Sequence, residues 1–247
     1  MQTSNDPPYP ILWLRSLAFW VVFPVSIVIT ATLLMLAFPV SFDRRWALLQ
    51  VWTRFILWWL KVTCKLDHAI QGHEHITSGP GIVFSKHQST WETIALQQIF
   101  PPQVWVAKRE LMWLPFFGWG LALMKCIHIK RGSGKAAVKQ LVDQGRARLG
   151  EGKWIVIFPE GTRVAAGEKG RYRIGGAVLA EQTGYPILPV AHNAGEYWPR
   201  RCFIKRPGTI QVRIGKPISA DGKTAQQILE EASGWIEDCM KEITTLK

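Results

Sequence analysis

The sequence predicts an α/β domain, with a mixed central sheet flanked by helices, preceded by a membrane-associated helical segment. Three observations carry this expectation. A long uncharged stretch lies near the N-terminus, short apolar runs alternate with longer mixed segments from Leu66 onward, and two of those runs end in polar turns dense with reactive groups. The chain has 247 residues, enough for one sizeable core plus an accessory segment, and its 48% hydrophobic content excludes a disordered protein.

From Ser16 to Phe42 no side chain is charged. A bilayer core needs roughly 20 apolar helical residues, so the stretch is long enough to span. The leader carries Asp6 and Pro7-Pro8 where a basic region would precede a cleaved signal, and the apolar run is too long for one. Arg44-Arg45 follow directly, which by the positive-inside tendency places the downstream chain in the cytoplasm, at the inner membrane. A second apolar stretch, Trp46 to Leu60, is broken by Arg54, followed by Lys61 and Lys65, and carries Trp52, Trp58 and Trp59. Tryptophan favours the headgroup level, so it reads as an interfacial helix; a helix capping the catalytic core is the alternative. The chain divides near Lys65, into an anchor over 1–65 and a catalytic domain over 66–247.

In the second part, strands are expected at Gly81–Phe84, Val104–Ala107, Cys126–Ile129, Trp154–Phe158, Ile187–Val190 and Ile210–Ile214. Helices are expected at Thr90–Ile99, Lys135–Leu149, Gly176–Thr183 and Ala225–Thr244. The formal charge of +12 calls for an anionic partner. A nucleic acid would need basic and aromatic residues on one exposed face, whereas the tryptophans here cluster beside the apolar anchor. Cys64, Cys126, Cys202 and Cys239 form no C-x-x-C pair, so neither a zinc site nor a disulfide scaffold is indicated.

Strand ends are where α/β proteins place reactive groups, and two turns stand out. Ser85-Lys86-His87-Gln88-Ser89-Thr90-Trp91-Glu92 follows the first strand. A base acting on an alcohol needs a neutral imidazole with one nitrogen free and the other held by an acceptor, and His87 with Glu92 can supply that. Five residues of helix turn about 500°, so the pair meets only if His87 precedes a helix that starts near Ser89. Ser89 and Glu92 also make a capping box, which leaves Glu92 with two readings, cap or imidazole partner. The second turn, Phe158-Pro159-Glu160-Gly161-Thr162-Arg163, ends the most apolar strand with a hydroxyl and a guanidinium suited to phosphate.

Other patterns fail on inspection. Gly132-Ser133-Gly134-Lys135 lacks a phosphate loop's first glycine, which is Ile129, and its hydroxyl, which is Ala136. There is no G-x-S-x-G elbow, which argues against an acyl-serine intermediate. His73 and His75 are spaced to share one strand face but have no third ligand nearby, so no metal site is expected; His192 is uncommitted.

Together these residues resemble the phospholipid and glycerol acyltransferase family, in particular the bacterial 1-acylglycerol-3-phosphate acyltransferases. The similarity runs from the Gly72 region to Gly215-Lys216-Pro217. Its first block is similar to His87 through Glu92, with Glu where the family usually has Asp. The second is similar to Lys108-Arg109-Glu110-Leu111 with Pro115-Phe116-Phe117-Gly118, and to Ile129-Lys130-Arg131. The third is Phe158 through Arg163, and the fourth resembles Tyr185 through Val190. The resemblance implies His87 as base oriented by Glu92, and an acceptor phosphate held by Lys108, Arg131 and Arg163 within a binding site that includes Glu160, Gly161 and Thr162. It further implies a lysophospholipid acceptor, acyl-CoA or acyl-carrier protein as donor, no bound cofactor, an anionic membrane surface as partner and a pair of N-terminal membrane helices.

Overall fold

The computed structural model describes residues 7–130 and 132–246. Two long helices come first, α1 (Tyr9–Leu36) and α2 (Phe42–Cys64), which pack on each other. The uncharged stretch is therefore not one element: α1 begins ahead of it and stops at Leu36, and the turn through Pro39 redirects the chain before Phe42. At 28 residues α1 is long and apolar enough to cross a membrane.

The remaining elements are β1 (Leu66–Gln71), β2 (Ile82–Ser85), α3 (Trp91–Ile99), β3 (Gln103–Lys108), α4 (Phe117–Leu123), β4 (Ile127–Ile129), α5 (Lys135–Gly150), β5 (Trp154–Ile157), α6 (Gly175–Thr183), β6 (Ile187–His192), α7 (Ala194–Tyr197), β7 (Gly208–Ile214) and α8 (Ala225–Ile243). The strands form one sheet in the order β1-β7-β6-β2-β5-β3-β4. All pairs are parallel except β6 with β7, so the sheet is mixed. β2, β5 and β6 are buried along their whole length, as continuous apolar runs between helical layers must be.

Sequence reading did not anticipate β1, α4 or α7. β1 is an edge strand whose residues beyond Leu66 are partly buried or, at Ala69 and Gln71, exposed, so its pattern Leu-Asp-His-Ala-Ile-Gln lacks a clean apolar face. His73 and His75 lie in a 3-10 turn rather than on a strand, and His75 Nδ1 is 2.8 Å from the Ile214 carbonyl.

Hydrophobic packing crosses Lys65. Phe19, Ile56 and Leu60 join one buried cluster with Val83, Trp91 and Val156, while Leu34, Phe42 and Trp46 join another with Met124 and Ile127. α2 packs on the domain through one face, with Ile56 and Leu60 buried, as the capping alternative expects, while Phe55, Trp58 and Val62 on it are exposed.

Candidate active site

β2 and β5 are parallel neighbours paired with Phe84 opposite Ile157, so the two reactive turns leave the sheet side by side at its carboxyl edge. His87 lies in the turn after β2 and precedes α3, as the helical-twist argument requires. Its Nδ1 is 2.8 Å from Glu92 Oε1, and its ring stacks on Phe158 from the second turn at a centroid distance of 3.9 Å. Nε2 has no protein partner among the described residues, and His87 lines a cavity.

Glu92 performs both roles that its sequence context allows. Oε1 accepts the imidazole contact and the backbone N–H of Gln88, and both oxygens accept the N–H of Ser89. Ser89 Oγ in turn accepts the N–H of Trp91, closing the start of α3. Glu92 is fully buried. Burial alone would raise its carboxyl, yet the hydrogen bond from His87, the neighbouring histidines and the Ser89 N–H outweigh that and hold it below the usual range. A buried acceptor that stays ionised suits a histidine that must gain a proton.

Glu160 stands behind the site, not in the cavity wall where the substrate-binding expectation puts it. Its Oε2 accepts the backbone N–H of His87, and its Oε1 makes a 2.6 Å ion pair with Lys86. Both side chains are almost completely buried. Burial raises the Glu160 carboxyl and the Lys86 ammonium opposes that rise. Lys86 Nζ also reaches Glu237 on α8 at 3.0 Å, and Tyr172 donates to the same carboxylate oxygen at 2.7 Å. His192, buried at the end of β6, lies 2.8 Å from the Lys86 carbonyl. Lys86, Tyr172, His192 and Glu237 thus fix the backbone of the histidine turn from the far side. Sequence reading gave none of the four this role: Lys86 was quoted only as part of the turn, His192 was left uncommitted, and Tyr172 and Glu237 were passed over, because their partners are distant in the chain and no local pattern marks them.

The remaining expected residues divide. Gly161 adopts φ +71°, which turns the chain between Glu160 behind the site and Arg163 in front. Arg163 is half-buried, lines the cavity with His87, and has its Nε without a hydrogen-bond partner among the described residues. Lys108 ends β3 at the same cavity, and Thr162 is exposed on the turn. Arg131 lies outside the described residues. The N–H groups of Gln88 and Ser89 are bound to Glu92, and that of Gly161 donates to the Phe158 carbonyl. These N–H groups are therefore occupied by protein acceptors.

The cavity has a volume of about 430 Å³ and is predominantly apolar. Its wall is shared among α1 (Phe23, Ile27), α2 (Trp46, Trp52), β3 and α4, with His87, Arg163 and Lys108 as its basic groups. An apolar slot with a carboxylate-held imidazole and two cations can take an amphiphile with an anionic head and present its hydroxyl to Nε2.

Comparison with known proteins is consistent with this geometry. The Acyltransferase family pattern matches residues 67–193. A 1-acyl-sn-glycerol-3-phosphate acyltransferase of Pseudomonas aeruginosa is 42% identical over 239 residues, covering 95% of this chain and 93% of that protein. One from Saccharomyces cerevisiae is 32% identical over 192 residues, or 74% of this chain and 63% of the yeast protein. The crystal structure of the 1-acyl-sn-glycerophosphate acyltransferase PlsC from Thermotoga maritima superposes with a TM-score of 0.78, covering 95% of this chain and 96% of that one at 19% identity, a likeness of fold.

Proposed function

The chain belongs to the 1-acyl-sn-glycerol-3-phosphate acyltransferase family, and on that premise we propose the following reaction and division of labour. A fatty acyl group passes from a thioester, acyl-CoA or acyl-carrier protein, to the free sn-2 hydroxyl of 1-acyl-sn-glycerol 3-phosphate, and the product is phosphatidic acid. The observation that carries the assignment of roles is the His87 Nδ1 to Glu92 contact of 2.8 Å at an apolar cavity that also holds Arg163 and Lys108.

His87 Nε2 takes the hydroxyl proton as the oxygen attacks the thioester carbonyl. Glu92 steadies the imidazolium that results. The tetrahedral intermediate collapses with loss of the thiolate, which takes the proton back from His87. No acyl-enzyme is formed. Arg163 and Lys108, with Arg131, hold the acceptor phosphate, which fixes the hydroxyl relative to the base. Acyl chain packs along the apolar wall supplied by α1, α2 and α4. The protein works at a membrane; Arg44 and Arg45 behind α1 support the inner membrane with the catalytic domain facing the cytoplasm.

The test is thiol release by purified protein supplied with lysophosphatidic acid and either acyl-CoA or acyl-carrier protein, beside glycerol 3-phosphate and a lyso-ornithine lipid as acceptors. Turnover is expected with lysophosphatidic acid, and His87→Ala is expected to lower it by about 10²- to 10⁴-fold in a protein that still folds, with a lowered thermal midpoint because buried Glu92 loses its imidazole partner. Near-normal turnover in a folded His87→Ala protein would remove the base from the mechanism.

A further inference from the structure

The segment between β3 and β4 leaves an unusual surface uncovered. Trp113, Leu114, Phe116, Phe117 and Trp119 are all exposed, Trp113 at 79%. Isolated exposed apolar residues are ordinary on a soluble surface, but five large ones within 113–119 are a contiguous patch. The backbone builds this patch. Gly118 lies so close to the Met112 carbonyl that a Cβ there would sit 2.4 Å from its oxygen, so the turn folds tightly on itself and the aromatic rings point outward.

Two further observations identify what covers it. The patch is continuous with α1: α4 packs on α1, and both elements wall the same cavity, through Phe23 and Ile27 on one side and Phe117 and Leu121 on the other. α1 also carries its own exposed apolar face, with Val21, Val25 and Ile29 each more than half exposed. The charge around the patch is predominantly positive, with Glu110 as the one exposed acid at its N-terminal end among the described residues of 109–123. Between Leu111 and Val142 there is no acidic residue, while Lys108, Arg109, Lys130 and Lys135 lie exposed on its flanks. Tryptophans beside exposed cations are the chemistry of an anionic lipid headgroup layer.

We propose that residues 109–123 form a second membrane-inserting surface, which embeds Trp113 and Trp119 in an anionic bilayer beside α1 and turns the cavity between α1 and α4 toward the lipid. The N-terminal helices hold the protein at the membrane, and this patch sets its tilt. A cavity walled on one side by α1 and on the other by an inserted α4 receives an acyl chain sideways from the bilayer, without lifting it through water. That route rests on the reaction proposed above; insertion itself does not.

The test uses the full chain with Cys202→Ser and Trp113→Cys, labelled with an environment-sensitive dye and reconstituted in vesicles of phosphatidylglycerol and phosphatidylethanolamine. The dye is expected to shift to the blue and to be quenched by a nitroxide carried on the lipid. The same dye at Glu230→Cys, exposed on α8, is expected to do neither. In a second arm, Trp113→Ser with Trp119→Ser is expected to lower turnover of vesicle-borne long-chain acceptor by about tenfold, with dispersed short-chain acceptor unaffected. Neither tryptophan lines the cavity.

A dye at position 113 that remains water-exposed and unquenched in vesicles overturns the proposal. So does a shift that grows with protein density in the bilayer, which would assign the patch to a second copy, or one that appears only on adding an acidic carrier protein. The dye arm needs no turnover, so its result stands even if the acyl-transfer reading fails.

Discussion

At the scale of residues, one carboxylate oxygen of Glu92 serves the imidazole of His87 and the backbone of the helix start. Gln at this position retains an acceptor oxygen but loses the charge, and one of its two terminal atoms becomes a donor facing the Ser89 N–H. Glu92→Gln is therefore expected to lower kcat by about 10²-fold or more and to cost about 1–3 kcal/mol of stability, while Glu92→Asp retains the larger share of activity. A Gln variant with full turnover and an unchanged midpoint would sink the imidazole-partner role and leave Glu92 as a helix cap alone. Lys86 makes a sharper demand. Lys86→Met leaves buried Glu160 and half-buried Glu237 without their cation, a loss expected to cost roughly 3–5 kcal/mol and to lower kcat, because the His87 N–H is held by Glu160. Glu237→Gln keeps an acceptor for Tyr172 and is expected to stay within about 1 kcal/mol of the native protein. Denaturant unfolding and turnover of both variants check this: a Met variant as stable and as active as the Gln variant would show that the buried pair does not position the base.

At the scale of elements, the loop between α7 and β7 ties α1 to the site. The Lys205 N–H donates to Ser16 Oγ of α1, and Trp20 Nε1 donates to the Phe203 carbonyl. Lys205 Nζ lies 3.8 Å from the ring centre of Trp20 and 4.9 Å from that of Trp198, while Arg200 in the same loop donates to the Arg163 carbonyl. Burial among these rings pushes the Lys205 ammonium down from 10.5 to about 7. The unfolded chain then binds more protons than the folded one between those two values, so this group makes stability rise with pH across that window. Wild type is expected to gain midpoint relative to Lys205→Met between about pH 6.5 and pH 9.5. Parallel pH dependence in the two proteins would mean the lysine titrates normally and the aromatic cage leaves it solvated.

At the scale of the whole molecule, α1 and α2 are at once anchor and core. Phe19, Ile56 and Leu60 are at most 1% exposed and Trp46 is 7% exposed, each against residues of the catalytic domain. Fully burying a large apolar side chain is worth about 1.5–3 kcal/mol, so losing several of them exceeds the margin by which a domain of this size is folded. Deleting Met1–Leu60 is therefore expected to unfold or aggregate the protein and to abolish turnover of dispersed and bilayer-borne acceptors alike. A soluble, folded truncation that still turns over short-chain acceptor would restrict these helices to anchoring.

The division of labour between sequence and tertiary structure follows from the range of the interactions. The uncharged N-terminal stretch, the strand and helix runs, the five-residue step from His87 to Glu92 and the turn after β5 are local, and each is legible from spacing and residue type. α8 was legible because its apolar residues recur at helical intervals from Ile228 to Ile243. β1 was not, because an edge strand needs no continuous apolar face, and α4 was not, because its apolar residues point outward as well as in. Glu160 carries the same lesson within the site. The family resemblance implied a substrate contact, and only folding brought Lys86 to it, with Glu237 behind that lysine. A motif fixes which groups are close along the chain; which way each side chain faces depends on partners that the chain brings together only by folding.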